Sequence, residues 1–180
     1  MPIYLESKRI SLRELSLSDE NELLDLDSDF QVMKYLTNGI PTSRESIQKM
    51  LGRVLQQRQQ SRGKFGVWAA IRKETEEFIG WFHLFPSRDE PNNLENLFLG
   101  YRLKAKYWGN GYATEVSRLL VQKAFQEFGA KKVFAQAMKG NERSQKVMTA
   151  IGMSFVSEFQ EPTFPVGAQD SVLFCVECDG

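Results

Sequence analysis

The chain has 180 residues, 42% of them apolar and 26% charged, which suits one globular domain with a core of its own. Lys+Arg and Asp+Glu both number 23, so no net charge draws the chain to DNA, RNA or an anionic membrane. No run nears the ~18 apolar residues of a membrane span. The N-terminus MPIYLESKRI lacks an apolar signal core, so a cytoplasmic location is the expectation.

In chain order, alternation at Ile10 and Leu12 predicts one first strand over residues 4–13. Ser16 and Asp19 offer caps for a helix carrying Leu23, Leu24 and Leu26. Thr42-x-x-Glu45 reads as a capping box after Pro41. It opens an amphipathic helix with Ile47, Met50, Leu51, Val54 and Leu55 at helical spacing. Residues 65–71 and 78–85 read as a hairpin around the charged turn 73–76. A polar loop over 86–93 leads to a fourth strand, Leu97 to Leu103. Val116, Leu119, Leu120 and Ala124 mark a helix that closes at Gly129, and a fifth strand follows over 132–138. A short helix over 142–150 ends at Gly152, and 155–159 and 171–177 are two last strands with Pro162 and Pro165 between them. The order implies a single α/β (α+β) domain over 1–180, a mixed sheet of about seven strands flanked by about four helices.

Cys175 and Cys178 form a C-x-x-C inside or just past a strand, where a redox motif would need a helix start. With His83 as the only histidine, the four ligands of a structural zinc site are lacking, and no metal is expected.

The stretch Lys106-Tyr-Trp-Gly-Asn-Gly-Tyr-Ala-Thr-Glu115 stands between a strand and a helix. The first amides of a helix have no intrahelical partner, and the macrodipole adds partial positive charge there. Gly109, Gly111 and Ala113 leave the approach to those amides clear for a phosphate. Amides in the 110–114 region would donate, and the Thr114 hydroxyl could add one bond. No lysine follows the second glycine as a Walker loop requires, and the third small residue comes one place early for a dinucleotide fingerprint. A plain tight turn is the alternative.

A second motif follows the fifth strand, Asn141-Glu-Arg-Ser144, running on to Ile151-Gly-Met153. As local structure it is a helix capped by Asn141 and closed by Gly152. Together, Trp108-Gly-Asn-Gly-Tyr-Ala113 and Asn141-x-x-Ser144 resemble the GNAT superfamily of acyl-CoA N-acyltransferases. Leu5 to Arg13, the Ser-x-x-x-Asp/Glu helix start, Gly100-Tyr101 and Trp108 to Glu115 are similar to its ribosomal-protein-alanine N-acetyltransferase branch. The likeness covers nearly the whole chain.

The resemblance implies acetyl-CoA as co-substrate and an amine as acceptor. Its pyrophosphate would sit on Trp108, Gly109, Asn110, Gly111, Tyr112, Ala113 and Thr114. Its pantetheine arm would lie where the fourth and fifth strands splay, along Gly100, Tyr101 and Leu103, with Asn141 and Ser144 on the facing helix. An amide near Gly100 or Tyr101 would hold the carbonyl oxygen, and Ser144 would hydrogen-bond the leaving thiolate. Many members carry a tyrosine acid where this chain has Met148, and the branch often has a glutamate where it has Phe98. His83, between Trp81 and Phe85 on an aromatic strand, and Glu95, before the fourth strand, are the other candidate catalytic groups. Each has a plain structural alternative, as packing residue and solvated loop carboxylate. Phe30 and Tyr35 are candidates to shape the acceptor side.

Without a placed carboxylate, the easier amine is favoured. An α-amino group has a pKa of about 7.7–8 against about 10.4 for a lysine amine, which is ~3.5 kcal/mol of deprotonation work. The acceptor is therefore expected to be an α-amino group of a protein, peptide or small molecule. The apolar last strands are a candidate homodimer surface. The competing reading is a catalytically impaired acyl-CoA-binding regulatory module.

Overall fold

The computed structural model describes residues 3–87, 90–162 and 169–178; Pro165 and part of the 86–93 loop lie outside them. Eight strands form one sheet in the order β1-β2-β3-β4-β5-β6-β8-β7. The strands are β1 (Ile3–Glu6), β2 (Ile10–Glu14), β3 (Gly66–Arg72), β4 (Phe78–Pro86), β5 (Asn96–Leu103), β6 (Lys132–Met138), β7 (Ser154–Gln160) and β8 (Asp170–Glu177). The helices are α1 (Glu20–Ser28), α2 (Phe30–Met33), α3 (Arg44–Gln60), α4 (Tyr112–Phe128) and α5 (Glu142–Ala150). Every neighbouring pair runs antiparallel except β5 and β6.

The expected first strand is in fact two. At Ser7 the chain turns, with its hydroxyl accepting from Ile10 N–H at 2.9 Å and its own N–H donating to Ile10 O at 2.8 Å. That turn folds β1 back on β2, which raises the strand number to eight. The expected Thr42 capping box is absent: Ser43 is the N-cap of α3, its side chain accepting from Ser46 N–H. The fifth helix is the short α2, capped by Asp29, which accepts from Gln31 N–H.

The sheet separates two cores. On one face α1 and α3 pack over β3 and β4 through Leu23, Leu26, Ile47, Leu51 and Ala69. On the other, α4 lays Val116, Leu120 and Ala124 against Phe82, Leu84, Leu97 and Leu99. Val116, Leu120, Phe82 and Leu84 are wholly buried, and each contributes about 1.5–3 kcal/mol to the fold. The stripe on α4 follows the 3.6-residue period, which aims its N-terminus at the end of β5. Arg9, in the β1–β2 turn, fixes that end. Its backbone N–H and Nε donate to the two carboxylate oxygens of Glu115 at 2.9 and 2.7 Å.

Candidate active site

The site grows out of the seam between β5 and β6. Their parallel pairing covers Asn96 with Lys132, Leu97 with Val133 and Phe98 with Phe134, and then stops. Beyond Phe98 the two strands splay, as the family resemblance implied. Lys104 N–H donates to Ile79 O and Asn96 O accepts from Ser87 N–H, so even-numbered residues of β5 spend their backbone groups on β4. By strand alternation Leu99, Tyr101 and Leu103 turn theirs into the gap.

At the mouth of the gap lies the glycine loop. Gly109 and Gly111 have φ of +78° and +77°, a region that side chains disfavour. A Cβ at Gly109 would meet nothing within 4 Å, so the space above it is open. Gly111 caps α4, and Glu115 N–H bonds back to Gly111 O at 3.0 Å. The N–H groups of Tyr112, Ala113 and Thr114 therefore have no carbonyl four residues back within the helix. The loop is held by Asn110, whose side-chain amide donates to Tyr107 O at 3.1 Å and Trp108 O at 3.2 Å. Trp108 Nε1 donates to Leu103 O at 2.8 Å, and Trp108 packs into both cores. Lys8, Arg9 and Arg118 line a recess of about 590 Å³ beside Gly111 and Thr114.

Across the gap, Asn141 caps α5 by accepting from Ser144 N–H at 3.2 Å. Its first turn carries Arg143, whose guanidinium carbon sits 4.8 Å from the centre of the Trp108 ring. Ser144 lies within hydrogen-bonding reach of the Tyr101 phenol. Burial raises that phenol above its ordinary pKa, with the Ser144 contact acting against the rise. It is thus a neutral donor at physiological pH. Met148 is buried, 3% exposed, and belongs to the core.

The sequence candidates do not all gather. Tyr101 and Ser144 meet on the α4–α5 side of the sheet. His83 lies on the other side, opposite Gly100. Glu95 stands at the closed end of the seam, about 17 Å along the strand from Gly100. It pairs with Lys131 at 2.7 Å, and its carbonyl accepts from Lys131 and Lys132 N–H. Its place is a brace for the β5–β6 junction. Tyr35 reaches the turn before α5: a Cβ at Gly140 would lie 3.3 Å from its ring. Phe30, 62% exposed, lies over Gly39 on the loop after α2.

Sequence reasoning overlooked three groups. Arg143 sits inside the second motif, in the first turn of α5 against the Trp108 ring. Arg102 and Asp27 form an ion pair beneath the α1 face, with Arg102 over the Trp81 ring at 5.1 Å. Only the position of Arg143 carried a signal, since Asp27 and Arg102 are 75 residues apart.

An anion cradle opening onto a free strand edge is a site for a long ligand with a phosphate end and an amide-bearing arm. Acetyl-CoA has that form, and the open space above Gly109 and the unshared amides of α4 fit it. Residues 9–154 match the family model described as an acetyltransferase (GNAT) domain. The chain belongs to the GNAT acetyltransferases, acetyl-CoA-dependent N-acyltransferases. It is 32% identical over 160 residues to the FsC-acetyl coenzyme A-N(2)-transacetylase of Aspergillus fumigatus, covering 86% of this chain and 66% of that protein. The chain thus spans just under two thirds of that relative's length. Among solved structures, it superposes on the microcin C7 self immunity acetyltransferase MccE, in complex with acetyl-CoA and AMP, with a TM-score of 0.78 at 18% identity. That match covers 95% of this chain and 93% of the other. RimL, a ribosomal L7/L12 alpha-N-protein acetyltransferase in complex with coenzyme A, gives 0.79 at 16% identity, with 99% of each chain covered. At these identities the structural likeness is one of fold. Among the described residues no group of side chains could hold a metal ion, and no helix is long and apolar enough to cross a membrane.

Proposed function

We propose that this chain transfers the acetyl group of acetyl-CoA to a primary amine by direct attack in a ternary complex, and that the acceptor is an α-amino group. The observation that carries the reading is the junction of the loop with the open strand: Trp108 Nε1 bonds Leu103 O at 2.8 Å, so the phosphate cradle leads straight into the splay. The name of the Aspergillus relative, which specifies transfer to an N(2) nitrogen, supports an α-amino acceptor.

Acetyl-CoA, when bound, supplies an acetyl group activated as a thioester. The residues then divide the work. Gly109, Asn110, Gly111, Tyr112, Ala113 and Thr114 present backbone donors to the pyrophosphate, and Trp108 and Arg143 wall the loop. Leu99, Tyr101 and Leu103 offer backbone groups to the amide-bearing arm, as an added strand would be paired. Tyr101 N–H, next to Gly100, holds the acyl oxygen as negative charge develops, a contribution of ~3 kcal/mol in comparable acyl-transfer sites. Asn141 sets the start of α5, and Ser144 with the Tyr101 phenol delivers a proton to the departing sulfur. In the same proposal the protein works in the cytoplasm, and the β7 edge, with Phe155 54% and Val156 50% exposed, is its homodimer surface.

The test is calorimetric titration with acetyl-CoA of the wild type and of Gly111→Glu, followed by turnover on α-amines and on lysine-type amines. Micromolar binding lost in the variant, with faster turnover of α-amines, is expected. A wild type that produces no heat with acetyl-CoA sinks the reading.

A further inference from the structure

The group that takes the proton from the acceptor is not on the α4–α5 face, where Tyr101 and Ser144 serve the leaving sulfur. The opposite face offers one. His83 is the only histidine of the chain and stands mid-strand in β4, its Cα paired with Gly100 of β5. A Cβ built at Gly100 would lie 2.2 Å from His83 Nε2. Gly100 is not among the glycines with positive φ, so its backbone does not require glycine. The missing side chain makes room for the imidazole instead. The ring is held between Trp81 and Phe85, at centroid distances of 5.9 and 5.6 Å, and is only partly buried.

The surroundings make this an approach route. Trp81, Phe85 and Phe98 occupy the same face of β4 and β5 as His83, and Phe98 stacks on Phe134 of β6 at 5.3 Å. These rings form a half-buried aromatic floor that reaches the seam. The charged groups packed on this face are ion-paired: Arg102 of β5 with Asp27 of α1, Lys104 with Glu22 and Asp25 of α1, and Arg13 of β2 with Asp19, while β3 sets the apolar Val67 opposite His83. Gly100 immediately precedes Tyr101, whose N–H turns into the gap. Nε2 therefore borders the place where the acyl carbon would be held.

We infer that His83 Nε2 is the base that deprotonates the acceptor amine as it enters over the aromatic floor. The inference rests on the acetyltransferase reading above and deepens it. The α-ammonium gives one proton to Nε2. The freed nitrogen lone pair forms the C–N bond, the C–S bond breaks, and the second nitrogen proton passes through the Ser144–Tyr101 hydroxyls to the thiolate. Amide and free thiol result, and the imidazolium returns its proton to water. Whatever the imidazole's own affinity for protons, an α-ammonium gives one up about 250–500-fold more readily than a lysine ammonium. The base and the favoured acceptor thus agree.

Having one histidine makes the test direct. The imidazole of the full-length chain is titrated by NMR, and kcat/KM for an α-amine such as glycinamide is measured from pH 5 to 9. The rising limb should share its midpoint with the His83 resonance, and that resonance should shift when glycinamide is added in the presence of coenzyme A. His83→Gln should lose the limb and about 10²–10³-fold in kcat/KM at pH 7, while its acetyl-CoA Kd changes less than about threefold. Added imidazole should restore part of the rate in His83→Ala. An unchanged limb in His83→Gln with binding intact overturns this inference alone. Should the variants not fold, a wild-type resonance that ignores the amine or titrates far from the limb overturns it equally. Loss of acetyl-CoA binding by the wild type itself would instead sink the parent reading.

Discussion

Trp108 and Leu103 are joined by an indole N–H to carbonyl bond of 2.8 Å, so the first residue of the glycine loop is fixed to the last residue of the open strand. Trp108→Phe keeps an aromatic ring but removes the donor and the indole's second ring. A net hydrogen bond is worth about 1 kcal/mol, and the Arg143 contact to the indole face weakens with it. Denaturant melts should show a loss of that size, and acetyl-CoA affinity should fall several-fold. An unchanged affinity would separate the loop from the strand in function.

Gly111 answers a different question, because its φ of +77° strains any other residue while space for a methyl exists. The nearest atom to a Cβ there is Arg9 Nη2 at 3.6 Å. Gly111→Ala should therefore fold, with a cost of about 1 kcal/mol from the left-handed conformation. Its calorimetric affinity for acetyl-CoA should fall at least about tenfold, since even a methyl stands in front of the first-turn amides. Wild-type affinity in this variant would show that phosphate does not approach there.

Gly100→Ala tests the other glycine by collision. Its Cβ would drive the His83 ring from its place, so turnover should collapse while acetyl-CoA still binds, as read by the same calorimetry. Equal loss of both would mean that the strand itself had been disturbed.

Tyr101→Phe leaves the backbone donor and removes the phenol beside Ser144. With a proton no longer delivered to sulfur, kcat should fall about 10–100-fold with KM for acetyl-CoA little changed. Steady-state kinetics beside Ser144→Ala would check the pairing. If the two hydroxyls act in series, the double variant should be hardly worse than either single one.

A stability prediction concerns Asp19, 3% exposed, which accepts from both guanidinium nitrogens of Arg13 at 2.7 and 2.8 Å and from Ser16 N–H at 2.9 Å. Burial alone would raise its pKa, but the Arg13 and Ser16 bonds win and hold it below the ordinary carboxylate value. The unfolded chain thus takes up this proton first, at about pH 3.9. The contribution is present in full above about pH 5 and is lost as pH falls through the lowered folded value. Asp19→Asn should cost about 3 kcal/mol at neutral pH in a urea melt and flatten the acid limb of stability. A variant as acid-sensitive as the wild type would contradict this.

Periodicity and capping carried most of the architecture: α4, α5 and β6 have the bounds their patterns implied, and the loop with its two positive-φ glycines was visible as letters. The misses share a cause. Ser7-Lys8-Arg9 carries neither glycine nor proline, so the β1–β2 turn left no mark in composition. Thr42 and Ser43 are both cap formers, and sequence cannot tell which hydroxyl faces the helix. The relation of His83 to Gly100 depends on cross-strand register, which a linear reading does not contain. Whether the loop before β5 would carry Glu95 towards the site or leave it solvated could not be read from the letters; it pairs with Lys131 at the closed end of the seam.

The β5–β6 seam has one more consequence. Three residue pairs, ending at Phe98 and Phe134, join the five strands on one side to the three on the other. Beyond that junction the strands part like open jaws, and a bound acyl carrier that pairs with Leu99, Tyr101 and Leu103 would act as the missing strand. Filling the jaws should slow the exchange of those amide hydrogens and stiffen the opposing halves, so that the co-substrate becomes a temporary part of the scaffold on which it reacts.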